Sequence, residues 1–200
     1  MLLRNRFAAS ATALAVSAMT YAVVASAKYK FAGDQGVQFL AHGPAGMKIN
    51  GSSPDLKSEE SEGKLVFKAS LMNLNTNEPT GLRDKELRKY LEVDKKVDNA
   101  DPKNPKHDFK NATLIVDSSA IKLPEDGKTS EGNATGKFTL HGVTKDLPFS
   151  YKVKRTGSDL HARASFKINI ESHGVKKPCL VEVCVKPDVE VKVKFKLREG

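Results

Sequence analysis

The sequence predicts an all-β protein, an antiparallel sandwich or closed barrel of about eight strands with one short helix laid over it. Three observations carry this. Apolar and polar residues alternate with a period of two through most of the chain, which is the signature of strands with one face buried. Short clusters rich in Gly, Pro, Asp and Ser separate the alternating runs. A single stretch changes to the helical period.

The chain opens with a segment that does not belong to this domain. Arg4 and Arg6 precede an apolar run from Phe7 to Val24, which ends in Ala25-Ser26-Ala27. A short basic region, an apolar run and small residues at the two positions a signal peptidase reads describe a secretory leader. The expected cleavage lies before Lys28, giving a leader at 1–27 and one domain at 28–200. The run is nearly long enough to span a bilayer, but its Ala, Ser and Thr content and its A-x-A ending favour cleavage. No other run in the chain is long and apolar enough for a span.

The alternating runs follow in order. Val37, Phe39 and Ala41 form the first inward set. The Ser/Glu-rich stretch from Ser52 to Gly63 reads as an edge strand or a loop, and Leu65, Phe67, Ala69 and Leu71 form the next set. The helical exception is Leu82 to Leu91, where Leu87, Tyr90 and Leu91 stand at i, i+3 and i+4 behind a cap at Thr80 or Gly81. Asp94 to Asp108, with Pro102 and Pro105, reads as a long exposed loop. Leu114 with Val116, and Phe138 with Leu140, supply two further strands, separated by a polar turn at Pro124–Lys128. His141 to Asp146 reads as a turn into Phe149, Tyr151 and Val153, and Gly157-Ser158-Asp159 turns into Leu160, Ala162, Ala164, Phe166, Ile168 and Ile170. Val189, Val191, Val193, Phe195 and Leu197 alternate with charged residues to the end.

Charge and cysteine content narrow the function classes. Without Arg4 and Arg6 the chain carries 31 basic and 24 acidic residues, a net of +7. The lysines alternate with apolar residues, as in Val191-Lys192-Val193-Lys194-Phe195-Lys196, which reads as a wetted sheet face more than a recognition stripe. Aromatics fall mostly on the apolar faces, so nucleic acid is not an expected partner. Cys179 and Cys184 are the only cysteines, and in an oxidising compartment the favoured reading is a disulfide, over free thiols or a metal site. The Asn-x-Ser/Thr triplets at Asn50, Asn111 and Asn133 have meaning only in a glycosylating host.

Catalytic motifs are missing: no G-x-S-x-G, H-E-x-x-H, P-loop or G-x-G-x-x-G occurs. His42, His107, His141, His161 and His173 are dispersed, with none at metal-ligand spacing from another, and His161 falls on a polar face. Arg83-Asp84 reads first as ordinary helix-start chemistry and second as a binding pair. Neither catalysis nor a metal is therefore expected. The inward set of Phe39, Phe67, Ala69, Leu71, Leu114, Val116, Phe138, Leu140, Phe149, Tyr151, Ala162, Ala164, Phe166, Ile168, Val193 and Phe195 mixes large and small side chains, without a tryptophan. A barrel of about eight strands can be filled by side chains or can hold one ligand. The small residues leave room for a long apolar ligand, or mark a taper or the place where the helix packs.

Phe138-Thr139-Leu140-His141-Gly142-Val143-Thr144-Lys145-Asp146-Leu147 resembles the L-T-x-H-G-V-T-K strand-turn-strand of the YceI-like family of exported bacterial proteins. Leu82-Arg83-Asp84-Lys85-Glu86-Leu87 lies where that family carries R-D-x-H-L, with its histidine replaced near Glu86. Leu91-Glu92-Val93, Ser165-Phe166-Lys167-Ile168 through Ser172-His173-Gly174-Val175, and the last alternating strand extend the likeness. The N-terminal D-x-x-H-S-x-V-x-F is reduced to Asp34-Gln35-Gly36-Val37-Gln38-Phe39, and the cysteine pair is not a general family feature. The resemblance implies an extended antiparallel lipocalin-like barrel in the periplasm, often dimeric, with a tunnel for a polyisoprenoid or similar amphiphile. No cofactor is expected beyond such a lipid or an isoprenoid quinone. Its polar head would meet Arg83, Lys85 or Lys145 at one mouth, and contact with a membrane would be transient. The alternative is an exported interaction module whose barrel is filled by side chains.

Overall fold

The computed structural model describes residues 29–33, 35–93, 109–180 and 183–199. The expected leader at 1–27 and the loop at Asp94–Asp108 lie outside the described residues. Strands β1 (Tyr29–Phe31), β2 (Gly36–His42), β3 (Lys48–Ser53), β4 (Leu56–Ser61) and β5 (Lys64–Ser70) precede helix α1 (Leu82–Tyr90). After it come β6 (Asn111–Asp117), β7 (Thr129–Leu140), β8 (Val143–Thr156) and β9 (Asp159–Asn169). A small hairpin of β10 (Cys179–Leu180) and β11 (Val183–Cys184) precedes the last strand, β12 (Asp188–Glu199).

Ten strands form one curled antiparallel sheet in the order β3-β2-β12-β9-β8-β7-β6-β5-β4, with β1 beside β12. The architecture is the lipocalin-like barrel that the alternation and the resemblance anticipate. Its strand number exceeds about eight for two local reasons. β1 and β2 occupy successive stretches of β12, Tyr29 opposite Glu199 and Gly36 opposite Lys194. The stretch from Ser52 to Gly63, open between loop and strand in the sequence, contributes the edge strand β4.

Register converts the alternation into a common inner face. Val37 lies opposite Val193, Val193 opposite Ala164, and Ala164 opposite Tyr151, so four strands present one row of side chains inward. Because the side-chain period is two, a slip of one residue in any pair would turn that strand's apolar set to water. The turns fix the register. His141 (φ 50°) and Gly142 (φ 74°) form the two-residue loop between β7 and β8, and two successive positive φ values match the twist of a tight hairpin. The turn is shorter than His141–Asp146: Val143 onward already pairs with β7.

The sheet does not close on itself by a ladder. β3 and β4 are its two edges, joined through Pro54 and Asp55, and the seam is bridged by individual bonds. Ser53 Oγ donates to the Ser70 carbonyl at 2.7 Å, and Gln35 Nε2 to the Leu56 carbonyl at 2.9 Å. Asn75 exchanges backbone hydrogen bonds with Ser52 at 2.8 and 2.9 Å. These partners satisfy edge groups that would otherwise offer a template for another strand.

Candidate functional site

The two ends of the barrel differ. Strand ends at Lys64, Asp117, Thr156, Asp159 and Glu199 gather at one end, where Tyr29, Phe31 and Ile121 pack on a core of Val153, Leu160, Ala162 and Leu197. Leu71, Leu74, Val93, Val175 and Val189 belong to a larger core toward the other end, which α1 covers. The helix is held there by its entry. Asp84 Oδ1 accepts from the Thr76 backbone N–H at 2.8 Å and from Thr76 Oγ1 at 2.7 Å. Gly81 is the N-cap, in the left-handed region, and provides no side-chain cap. Glu78 supplies the missing acceptor, taking the Leu82 N–H at 3.1 Å, and hydrogen bonds from Thr80 hold its carboxyl below the usual range.

Between the two ends the inner face leaves a cavity of about 350 Å³. All sixteen residues of the inward set line it, as do Val37, Leu65, Val153 and Leu197. Helix α1 contributes Arg83, Glu86, Leu87 and Tyr90, and its C-cap Leu91 joins them, so the i, i+3, i+4 apolar stripe roofs the cavity. The Arg83-Asp84 pair thus divides: Asp84 fastens the helix entry, whereas Arg83 reaches the cavity wall. Lys85 and Lys145 are exposed and lie outside the lining, so of the three expected head-group partners only Arg83 stands at the cavity. Lys145 lies opposite Phe138 near the start of β8, and its side chain is exposed.

Several lining residues escaped the sequence reading. Ile49 and Ser53 on β3, Ile121 and Leu123 after β6, and Val175, Pro178 and Val185 around the small hairpin all face the cavity. The loop residues show no periodic signal, and β3 has a glycine where its inward row is centred. That glycine, Gly51, lies under the Phe39 ring: a Cβ there would stand 2.1 Å from Phe39 Cζ. An aromatic ring covering a strand glycine lets Phe39 lie flat along the wall.

Cys179 and Cys184 form a disulfide across β10 and β11. The Val185 N–H donates to the Pro178 carbonyl at 2.9 Å, extending the pairing, and both residues face the cavity. The bridge thus clamps one rim of the site. The histidines of the family-like segments act structurally. His173 is buried, 4% exposed, with Nδ1 donating to the Val143 carbonyl at 2.9 Å and Phe138 meeting its ring edge-on. His141 stacks on Phe109 at 4.1 Å and its Nε2 donates to Glu92 at 3.3 Å, tying the β7–β8 turn to the chain after α1. Among the described residues no cluster of three or more His, Cys, Asp or Glu is placed to hold a metal. The site can exclude water from an apolar chain, with one guanidinium and one or two further polar groups at its covered end.

Comparison with known proteins agrees with this geometry. The fold is similar to that of a polyisoprenoid binding domain from Saccharophagus degradans implicated in plant cell wall breakdown. That structure matches with a TM-score of 0.68 and 15% identity, over 88% of this chain and 100% of the other. BcnA from Burkholderia cenocepacia matches with a TM-score of 0.54 and 13% identity, over 80% of this chain and 95% of its own. A mutant CJ YCEI protein matches with a TM-score of 0.51 and 16% identity, over 76% and 85%. No curated protein matches the sequence. The family model of the YceI-like domain matches residues 37–197. The chain therefore belongs to the YceI-like domain family.

Proposed function

We propose that this protein is a periplasmic carrier that holds a polyisoprenoid or a similar amphiphilic lipid in its barrel and catalyses no reaction. The observation that carries the reading is the cavity: about 350 Å³, within the sizes typical of small-molecule sites, and lined almost wholly by apolar side chains. A barrel filled by its own side chains would leave no such space. Affinity comes from taking the ligand's chain out of water. At roughly 0.8 kcal/mol per buried CH₂, about ten carbons contribute on the order of 8 kcal/mol before ordering costs. Arg83 would meet a phosphate or quinone oxygen, with Tyr90 two turns further along the same helix face.

The likeness to a polyisoprenoid binding domain supports the ligand class. The disulfide supports an oxidising compartment, which export to the periplasm would provide. The test is native mass spectrometry of the exported protein followed by organic extraction. A bound mass that extracts as an isoprenoid or fatty amphiphile is expected, and Ala164→Phe should lose it while keeping the fold. A clean apo mass that persists after incubation with quinones and prenyl phosphates would overturn the carrier reading.

A further inference from the structure

The outer face of the same sheet carries a second concavity, a groove of about 660 Å³. Pairing brings its cations into rows across adjacent strands. Lys152 lies opposite Arg163, and Arg163 opposite Lys194. The next row holds Ser150, Ser165 and Lys192, with the two serine hydroxyls 2.8 Å apart. On the other side Lys154 lies opposite His161, and His161 opposite Lys196.

The charge in this groove is poorly matched. Four cations line it, Lys152, Arg163, Lys192 and Lys194, against one carboxylate, Glu131, which binds Lys152 at 3.1 Å. Among the described residues no carboxylate lies within ion-pair distance of Arg163, Lys192, Lys194 or the neighbouring Lys154. Several other charges on the sheet are paired. Lys137 meets Asp146, Arg155 meets Glu199, and Asp159 takes both Lys196 and Arg198. Like charges directly opposite on neighbouring strands destabilise a sheet. Elsewhere in the described sheet like charges meet only in pairs, Lys57 opposite Lys68 and Lys30 opposite Arg198, whereas here Lys152, Arg163 and Lys194 stand three in a row, a repulsion that an anionic partner would relieve.

We propose that this groove is a docking surface for the anionic headgroups of a lipid bilayer. The inference rests on the carrier reading, since a protein that holds lipid must meet the surface that supplies or receives it. A phosphodiester suits the donor set: one guanidinium fork, flexible ammonium groups and a pair of hydroxyls. Nucleic acid suits it less, because the outward positions of β2, β8, β9 and β12 include no Phe, Tyr or Trp on which bases could stack. Contact is electrostatic, and the barrel lies with its wall against the membrane.

The test is co-sedimentation of the purified protein with vesicles of phosphatidylcholine alone, or of equal parts phosphatidylcholine and phosphatidylglycerol. Binding to the mixed vesicles only is expected, with release at about 1 M salt, where the Debye length is about 3 Å. The combined variant K154Q, K192Q and K194Q should bind at least tenfold more weakly, since each lysine near an anionic surface is worth about 1 kcal/mol. Equal binding to neutral vesicles, or unchanged binding by the triple variant, would overturn the proposal. So would release by inorganic phosphate at an ionic strength where chloride has no effect, which would mark a free-anion site. The A164F protein separates the two readings. Vesicle binding retained by A164F, with no lipid extractable from it or from the unsubstituted protein, would sink the carrier and leave the docking surface standing.

Discussion

At the scale of single residues, the histidine of the His173-Gly174 segment shows how burial sets a pH response. Burial is the largest influence on His173 and pushes its pKa below the ordinary 6.5. Nearby Lys145 pushes the same way, while the hydrogen bond to Val143 opposes both. The folded protein thus keeps this ring neutral where the unfolded chain would protonate it. Its contribution to stability is complete above the unfolded value and is lost as pH falls below about 6.5 toward the folded value. Urea denaturation at pH 7.5 and pH 5.5 should show stability falling on acidification, and His173→Gln should flatten that fall. An equally steep fall in the variant would assign the effect elsewhere. Gly51 is the second informative position. Gly51→Ala forces Phe39 off the wall and should cost about 1–3 kcal/mol, as overpacked sites do. The midpoint of thermal unfolding checks it, and Phe39→Leu in the same background should recover part of the loss.

At the scale of elements, α1 and the disulfide hairpin behave differently from the walls. No residue of α1 is fully buried, and a nine-residue helix is marginal by itself. Its position depends on Asp84 and on the stripe that roofs the cavity. Asp84→Ala leaves the buried Thr76 without two acceptor contacts and should cost about 1–3 kcal/mol. Hydrogen exchange should localise the loss to α1 and the loop before it, leaving β7, β8 and β9 protected. The Cys179–Cys184 bridge spans a separation of 5 residues, so loop-closure entropy assigns it at most about 2 kcal/mol. Cys179→Ser with Cys184→Ser should still fold, with a lower denaturation midpoint.

The same elements explain what was legible beforehand. Inward residues of β2, β5 to β9 and β12 could be read because burial on one face forces a period of two. The turn after β7 could be read only as His141–Asp146, since polar composition marks a turn but not the residue at which pairing resumes. Pro178, Val175 and Val185 could not be read, since loop residues reach the cavity through tertiary placement that leaves no repeat. The outward cationic rows were visible only as alternation. Their mutual alignment depends on register between strands, which no single segment contains.

At the scale of the whole molecule, the barrel is a sheet with one seam, and the seam is stitched by Ser53, Gln35 and Asn75. Ser53→Ala removes a buried hydrogen bond and should destabilise by about 1 kcal/mol. The position of β12 reaches further. It follows all the other described strands in sequence, yet it lies inside the sheet, flanked by β9 on one side and by β1 and β2 on the other. β1 pairs with β12 alone, and β2 has β3 on one side and β12 on the other, so one side of each first strand stays open until β12 is in place. That part of the wall closes through contacts that span nearly the whole described sequence, the kind that form slowly. Until β12 docks, β1 and the inner side of β2 keep open edges with which another chain could pair.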